Sequence, residues 1–272
     1  MSDTRLFLDR HKCIVGMIHV GALPGTPRHR PTIHAIAAQA VEEAELYAAE
    51  GVDALMIENM HDVPYLNGAV GAEIVAGMTV VGERIVTAVD LPLGVQILAA
   101  ANREALAVAH AIGAAFVRVE NFAYAHVADE GLMPTADAGP LLRYRRKIGA
   151  EAVKIVADVK KKHSSHAVTA DVSLAEAAET TGFFGADAIV VTGAATGKPT
   201  SPVDLAAVRS SVAIPVCVGS GTTPENLPDL WPHADAFIVG SYFKQDGLWS
   251  NPVDGRRVAE FLELVRRLRS VA

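Results

Sequence analysis

The sequence predicts one domain, residues 1–272, folded as a closed (β/α)8 TIM barrel of the α/β class. Three observations lead to this prediction. Short runs rich in β-branched residues alternate with alanine-rich segments of helical periodicity. Eight such pairs occur, within the length that a single α/β barrel usually takes. No change in composition along the chain indicates a linker between two domains.

The eight predicted strands are nearly continuous apolar runs. Such runs, unlike strictly alternating ones, are typical of parallel strands whose two faces are both buried. Because a helical segment follows each strand, right-handed crossovers between parallel neighbours are expected. In chain order the strands cover 13–20, 53–58, 93–98, 115–120, 153–159, 187–193, 214–220 and 235–241.

The predicted helices have apolar residues at helical spacing and recognisable ends. Ser173, Ser201 and Thr223 are expected N-caps, and a proline follows the last two at the first helical position. Four glycines are expected to end helices in the left-handed conformation: Gly51, Gly113, Gly149 and Gly185. The helices cover 33–50, 71–89, 102–112, 138–149, 173–183, 202–211, 224–230 and 254–269.

The charge balance argues against a nucleic-acid partner. The chain has 24 Lys+Arg against 31 Asp+Glu, a formal net charge of −7, whereas nucleic-acid binders usually carry a basic excess or stripe. The dense basic stretch at 256–269 has apolar residues at helical spacing, so it is predicted to be a terminal helix with one buried stripe. The sequence leaves a homo-oligomer open.

The cysteines and the apolar stretches predict a soluble, cytoplasmic protein without a membrane span. Cys13 and Cys217 lie inside strand-like runs and have no CxxC neighbour, as expected of reduced core thiols. The longest apolar stretch, 105–117, contains His110 and is shorter than the ~20 residues that span a bilayer. Residues 1–12 lack the apolar core of a signal peptide.

Polar residues concentrate at the carboxyl ends of the predicted strands, where the active sites of barrel enzymes lie. Glu58, Glu120 and Asp158 end three of these strands. Converging carboxylates can act as general acid and base, or can hold a divalent cation such as Mg²⁺. The alternative is a hydrogen-bonded polar plug, with the carboxylates paired to Arg118 or to nearby lysines. No cofactor is required by the sequence.

Further catalytic candidates follow the same strands. His19 ends the first strand, Asn59 follows Glu58, and Lys160 follows the fifth strand. We expect these three side chains to orient or polarise a substrate. A satisfied polar residue without a catalytic role is the alternative for each, and the same holds for His61 and His163.

Small glycine loops follow the last three strands and predict a phosphate site. Glycine lets main-chain N–H groups approach an anion closely, and barrels often bind phosphate after their last strands. Tight turns without a ligand are the alternative. Lys198 and Lys244 follow these loops and are candidates to neutralise the phosphate. The predicted phosphate-binding residues are Gly193, Gly197, Gly219, Ser220, Gly221, Gly240 and Ser241.

Several stretches resemble the BtpA/SgcQ family, whose similarity covers almost the whole chain. The opening VGMIHVGALPGTPRH and the segment IENMHDVPY at 57–65 carry the likeness first. It continues through RVEN and DEG (118–131), LLRYRRKIGA (141–150), ADVKKKHS (157–164), ADAIVVTGAATG (186–197), PVCVGSGTTPEN (215–226) and the stretch at 237–261.

The resemblance implies a barrel of the ribulose-phosphate-binding type, with two possible functions. The first is an enzyme for a phosphorylated sugar or a phosphoribosyl-type compound, catalysing a lyase, isomerase or glycosidic-cleavage reaction. Its substrate would be the phosphorylated small molecule that the glycine loops predict. The second is a non-catalytic assembly or stability factor of the photosystem I biogenesis type, which would require an exposed docking patch. The 121–136 loop and the terminal helix are the candidates for that patch.

Overall fold

Eight parallel strands close on themselves in the computed structural model, which describes residues 12–193 and 199–271. Around the barrel the strand order is β1-β11-β10-β9-β7-β4-β3-β2, so the predicted closed barrel is confirmed. In chain order the strands are β1 (Cys13–His19), β2 (Ala54–Glu58), β3 (Leu93–Gln96), β4 (Phe116–Val119), β5 (His126–Ala128), β6 (Gly131–Met133), β7 (Lys154–Val159), β8 (Ser164–Ser165), β9 (Ala188–Val191), β10 (Val216–Val218) and β11 (Ala236–Val239).

Helices follow the barrel strands and pack outside them. In chain order they are α1 (Ile33–Glu50), α2 (Ala72–Ala88), α3 (Asn102–Ile112), α4 (Ala138–Lys147), α5 (Leu174–Phe183), α6 (Pro202–Ser211), α7 (Leu227–Leu230) and α8 (Gly255–Val271). In the part of the chain that is described, no helix is both long and apolar enough to cross a membrane.

The helix ends match the predicted signals with one exception. Ser173 forms a capping box with Glu176, and Ser201 accepts a hydrogen bond from the Asp204 N–H. All four predicted glycines have a positive φ. The helix predicted over 224–230 is shorter than expected, because the Thr223 N–H donates to Asn226 Oδ1 and closes a turn before α7 begins.

Strand side chains alternate between two apolar clusters. Val15, Met56, Phe116 and Val156 belong to the cluster inside the barrel, whereas their neighbours in the strands pack against the helices. The two-residue period of a strand therefore decides which residues reach the mouth from inside. At the carboxyl ends this inward set becomes His19, Glu58, Gln96, Arg118, Asp158, Thr192, Gly219 and Gly240.

A small antiparallel sheet in the loops beyond β4 and β7 is the main feature that the sequence did not predict. Its strand order is β6-β5-β8, with Val127 opposite Leu132 and Ala128 opposite Ser164. The strands have two or three residues each, too short for a hydrophobic pattern to indicate them. This sheet ties together two loops at the carboxyl ends of the strands, beside the barrel mouth.

Candidate functional site

The carboxyl ends of the strands surround a cavity with two lobes. Glu58, Met60, Arg118 and Lys162 line both lobes. The smaller one, the glycine lobe, has a volume of about 40 Å³. The larger one, the indole lobe, has about 280 Å³. The glycine lobe is further lined by Met17, His19, Gly219, Ser220, Gly221, Ile238, Gly240 and Ser241. The indole lobe is further lined by Tyr65, Gln96, Leu98, Glu120, Asp129, Glu130, Lys161, His163 and Trp249.

Arg118 crosses the mouth from β4 as a buried cation. Its Nε and Nη2 groups donate to the two Asp158 carboxylate oxygens at 3.1 and 3.0 Å, a bidentate ion pair. Its Nη1 group donates to the Gly219 carbonyl oxygen at 3.3 Å. A Cβ at position 219 would lie 3.0 Å from Nη2 and 2.4 Å from Val190 Cγ1, so only glycine fits here. The Asp158 carboxylate therefore positions Arg118.

His19 and Glu58 face each other where the two lobes meet. The His19 Nδ1 group lies 2.7 Å from the Trp249 carbonyl oxygen, which can only accept, so Nδ1 carries the hydrogen. Burial, reinforced by the field of Lys244, lowers the pKa of His19 to about 3. The ring is therefore neutral, and its bare Nε2 lies 3.8 Å from Glu58 Oε2.

Glu58 is a candidate proton donor and acceptor. Burial raises the pKa of its carboxyl above the ordinary value, against the opposing fields of Arg118 and Lys162. A carboxyl with a raised pKa holds its proton to a higher pH than an ordinary glutamate does, which favours a role in general acid–base catalysis. The bare Nε2 of His19 stands across from it as a hydrogen-bond acceptor. Because Nε2 and Oε2 are 3.8 Å apart, a ligand hydroxyl that lies beside the pair can contact both groups.

Glu120 is fixed by its neighbours at the indole lobe. Its Oε1 lies 3.2 Å from Lys161 Nζ, and its Oε2 accepts from the Ala100 N–H at 3.1 Å. The Asn102 side chain holds the Glu120 backbone with two hydrogen bonds. Its Nδ2 group donates to the Glu120 carbonyl oxygen, and its Oδ1 atom accepts from the Glu120 N–H. The carboxylate is thus paired and oriented, with Lys161 beside it in the lobe lining.

Lys162 supplies a cation to both lobes, whereas Lys160 does not line either of them. The Lys160 ammonium donates to the Thr169 carbonyl oxygen at 3.0 Å, away from the mouth. The backbone is left-handed at Lys160 and His163, with φ of 43° and 57°, so the chain turns on both sides of Lys161 and Lys162. The Lys162 N–H is held by Thr192 Oγ1 at 3.0 Å. Burial and the field of Arg118 lower the pKa of its ammonium.

Asn59 lies behind the cavity wall. Its Nδ2 donates to Asp62 Oδ2 at 2.9 Å, and its Oδ1 accepts from the Leu98 N–H at 2.7 Å. Asp62 in turn accepts from the Leu23 N–H at 2.8 Å. Asn59 therefore links the loops that follow β1, β2 and β3 to one another. Its amide has this structural role and is not exposed to the cavity.

The glycine lobe collects most of the residues that the sequence predicts for phosphate. Gly219, Ser220, Gly221, Gly240 and Ser241 all line it. Gly193 does not line the lobe. Gly197 and Lys198 lie outside the described residues. Lys244, the other predicted phosphate cation, lies 2.6 Å from Glu43 Oε2 in a buried ion pair and is therefore occupied.

Ser220 is the clearest sign of a ligand at the glycine lobe. Its hydroxyl is buried and has no hydrogen-bond partner among the residues that the structure describes. Leaving a buried hydroxyl unpaired costs about 1–3 kcal/mol, so such groups normally meet a partner. Gly221, with φ of +72°, follows it in the left-handed conformation and lines the lobe. The lobe can therefore offer a hydroxyl to an incoming oxygen.

Sequence reasoning missed several residues of the site. Gln96, Lys161 and Trp249 line the indole lobe, and Arg118 entered only as a partner for the carboxylates. The strand period would have found two of them: Gln96 lies two residues beyond Gly94, and Arg118 two beyond Phe116, on the inward face. Trp249 lies on an irregular loop, so no periodic signal indicates it.

The mouth carboxylates are divided among cations rather than gathered as a ligand set. Asp158 pairs with Arg118 and Glu120 with Lys161. Within residues 12–193 and 199–271, no three His, Cys, Asp or Glu side chains come together as a group that could hold a metal ion. The arrangement suits proton transfer and anion binding better than the Mg²⁺ site that the carboxylates suggested.

A larger groove, about 550 Å³, lies outside the barrel. It lies against α2, α3 and α4, and its lining includes Arg103 and Tyr144, which pack with the guanidinium carbon 4.5 Å from the ring centroid. Of the predicted site residues, none lines this groove. The strand-end chemistry lies in the mouth instead.

Comparison with known proteins relates the chain to one family and one fold. The model of the BtpA family matches residues 10–267. An uncharacterized mitochondrial protein of Caenorhabditis elegans is 44% identical, over 98% of this chain and 97% of the relative. The photosystem I biogenesis protein BtpA of Synechocystis is 34% identical, over 93% of this chain and 88% of the relative.

The fold also resembles a solved enzyme structure. The (S)-3-O-geranylgeranylglyceryl phosphate synthase of Thermoplasma acidophilum, in complex with its substrate sn-glycerol-1-phosphate, matches with a TM-score of 0.60. The match covers 97% of both chains at 15% identity. At this identity the likeness supports the barrel fold.

We predict that Asp158→Asn destabilises the protein by about 3 kcal/mol, because breaking a buried ion pair leaves the other charge uncompensated. Urea unfolding at neutral pH measures the change. Glu151→Gln is the matched control: its pair with Arg146 is exposed, and its unfolding midpoint should not move. An unchanged midpoint for Asp158→Asn would show that Arg118 does not depend on this carboxylate.

We predict a pH dependence of stability to which His19 contributes, together with His61 and His126, whose pKa values burial also lowers. The folded-state pKa of His19, about 3, lies below the 6.5 of an unperturbed histidine, so the unfolded chain binds a proton that the folded one does not. Stability is therefore lost as the pH falls below about 6.5. His19→Asn keeps a donor for the Trp249 carbonyl but should flatten this loss, measured by urea unfolding between about pH 7 and about pH 4.

The control for this experiment is His110→Asn, which changes an exposed histidine on the last turn of α3 and should keep the wild-type slope. Parallel slopes for wild type and His19→Asn would contradict a neutral, buried His19 ring.

Proposed function

This chain belongs to the BtpA family, and we propose that it is an enzyme acting on a phosphorylated small molecule, a sugar phosphate or a phosphoribosyl-type compound. The phosphate occupies the glycine lobe, and the reacting part of the substrate lies against Glu58 and His19. The observation that carries this proposal is the unpartnered, buried Ser220 hydroxyl in a glycine-lined lobe beside the proton-transfer pair.

The place of the lobe in the barrel supports a phosphate. β10 and β11 are the seventh and eighth strands of the barrel along the chain, and the loops after these strands form a recurrent phosphate site in TIM barrels. The Thermoplasma synthase with a similar fold binds sn-glycerol-1-phosphate. Lys162 lines the same lobe and supplies positive charge. Gly219–Gly221 and Gly240–Ser241 allow close approach of the anion.

Glu58 is the proton-transfer group of the proposed reaction. Burial raises its pKa, so it holds a proton to a higher pH than an ordinary glutamate does and can pass that proton to, or take one from, a substrate hydroxyl or ring carbon. The His19 Nε2 atom accepts a hydrogen bond from the same part of the substrate. Arg118, positioned by Asp158, stabilises negative charge that develops at the junction of the lobes. Lyase, isomerase and glycosidic-cleavage reactions all use these steps.

A second candidate is an assembly role, as the name of the Synechocystis relative indicates. Two exposed leucines favour it: Leu66 is 57% and Leu132 is 58% exposed. They lie on adjacent segments, since the Asn67 amide donates to the Leu132 carbonyl oxygen at 3.1 Å. Substitutions of these leucines would impair an assembly role and spare phosphate binding, whereas substitutions in the glycine lobe would do the reverse.

The cytoplasm is the compartment that we propose, because Cys13 and Cys217 are buried thiols of the core. The Caenorhabditis relative is named as mitochondrial.

We predict that the protein binds glycerol phosphate through the glycine lobe. Ser220→Ala should weaken binding about tenfold, since a hydrogen bond to a charged group contributes about 1.5–3 kcal/mol. Gly221→Asp should abolish measurable binding, because it adds a carboxylate to the lobe. Isothermal titration calorimetry gives both dissociation constants.

The controls change the same residue types elsewhere. Gly113→Asp has nearly the same backbone, with φ of +70° against +72° for Gly221, but lies at a helix end with no atom within 4 Å of the added Cβ. Ser210→Ala removes a hydroxyl that bonds within its own helix. Both controls should bind as the wild type does. Equal binding by Gly221→Asp and wild type would place the phosphate elsewhere.

A further inference from the structure

Trp249 gives the indole lobe an aromatic wall that a phosphate does not need. The residue lies on the loop between β11 and α8 and is half-buried. Its lobe has about 280 Å³, against about 40 Å³ for the glycine lobe. A ligand that put only a phosphate in the mouth would leave this volume and this ring unused.

The indole is held in place before any ligand arrives. The main-chain carbonyl oxygen of Trp249 accepts a hydrogen bond from His19 Nδ1. The indole ring packs on the His61 ring, with the ring centroids 4.9 Å apart and an angle of 52° between the planes. The loop around it is bonded to itself, for example by the Gln245 N–H to the Pro252 carbonyl oxygen at 2.9 Å. A rigid aromatic side chain loses little conformational entropy on binding, as suits a recognition surface.

Two acceptors in the lobe lining lack a hydrogen-bond partner. Gln96 Oε1 and Glu130 Oε2 are buried and accept no hydrogen bond from the described residues, and the Lys161 ammonium lies 3.9 Å from Glu130 Oε2, beyond hydrogen-bond distance. Gln96 is only 2% exposed and is the last residue of β3, on the inward face of the strand. Acceptors in such positions require donors on the ligand. Ligand hydroxyl groups would satisfy them.

We propose that the indole lobe binds a sugar ring in its cyclic form, with one C–H face stacked on Trp249 and its hydroxyls donating to Gln96 and Glu130. This proposal rests on the proposed function, because it takes the phosphate of the same molecule to lie in the glycine lobe. Trp249 is then a specificity residue: it selects cyclic over open-chain sugar phosphates.

Size and chemistry favour one sugar ring over the alternatives. At about 280 Å³ the lobe has room for a single sugar ring, and its unpaired buried oxygens call for hydroxyl donors. An open-chain polyol would meet the acceptors but would not cover the indole with a flat apolar face. A cyclic sugar has both the flat C–H face and the hydroxyl donors.

The test compares two ligands that differ in ring closure. Methyl ribofuranoside phosphate and ribitol phosphate each carry five sugar carbons, and both bear the phosphate on a terminal hydroxymethyl oxygen. Binding is measured by titration calorimetry and by tryptophan fluorescence in a Trp231→Phe background, which leaves Trp249 as the reporter. Trp231 is buried and stacks on Phe237 outside the mouth. Inorganic phosphate and a nucleoside monophosphate complete the ligand set.

We expect the wild type to bind the furanoside about tenfold more tightly than the polyol, with a change in Trp249 fluorescence. Stacking on an aromatic side chain supplies differences of this size. Trp249→Ala should reduce the preference to about twofold or less without changing the affinity for inorganic phosphate, and Trp249→Phe should restore most of it. Leu248→Ala, an exposed neighbour on the same loop, should retain the full preference.

Two failures can be told apart. Equal affinity of the wild type for furanoside and polyol, or an undiminished preference in Trp249→Ala, would overturn the ring assignment and leave phosphate binding intact. Tightest binding of the nucleoside monophosphate would overturn it in favour of a base on the indole. No binding of inorganic phosphate or of either ester would overturn the proposed function, and the ring assignment with it.

Discussion

A buried guanidinium at the mouth of the barrel is the constraint on which the site depends. Arg118 reaches from β4 to the β10 side, where its Nη1 group meets the Gly219 carbonyl oxygen. A cation in such a place needs a matched anion, and Asp158 provides one with two hydrogen bonds. It also needs room, which the missing side chain of Gly219 provides. One arginine thus accounts for a carboxylate and a glycine on two other strands.

The same cation influences the groups that we assign to chemistry. Its field opposes the burial that raises the pKa of Glu58 and adds to the burial that lowers the pKa of Lys162. Buried ion pairs of this kind contribute little net stability compared with well-packed apolar residues. Their presence at the strand ends, above an interior lined by Val15, Met56 and Phe116, supports the proposed role of the mouth in binding and proton transfer.

The fold could be predicted from the sequence because its signals are local. Apolar strand runs, helix caps such as Ser173 and left-handed glycines such as Gly51 each involve a few neighbouring residues. The glycine loops that are described, after β10 and β11, were also indicated by local composition. The indole could not be, since Trp249 reaches the mouth through an irregular loop.

Other parts of the site depend on contacts between distant residues. Arg118 lies beside Val156 in the β4–β7 register, two residues before Asp158, so their pairing follows only once the strands are aligned. Lys162 lines the mouth and Lys160 does not, because the backbone is left-handed at two non-glycine residues, Lys160 and His163. The sequence has no signal for such a backbone. The position of Asn59 behind the cavity wall could have been predicted from the sequence. Glu58 faces inward, and the two-residue period of a strand turns the next residue away from the mouth.

A crystal structure of the protein with glycerol phosphate bound, at about a hundred times its dissociation constant so that nearly all sites are filled, tests the account most directly. The account predicts the phosphate in the glycine lobe, within hydrogen-bonding distance of Ser220 Oγ and Lys162 Nζ, while Arg118 remains paired with Asp158. A phosphate in the outer groove beside Arg103, or an Arg118 side chain that leaves Asp158 to bind the ligand, would contradict it.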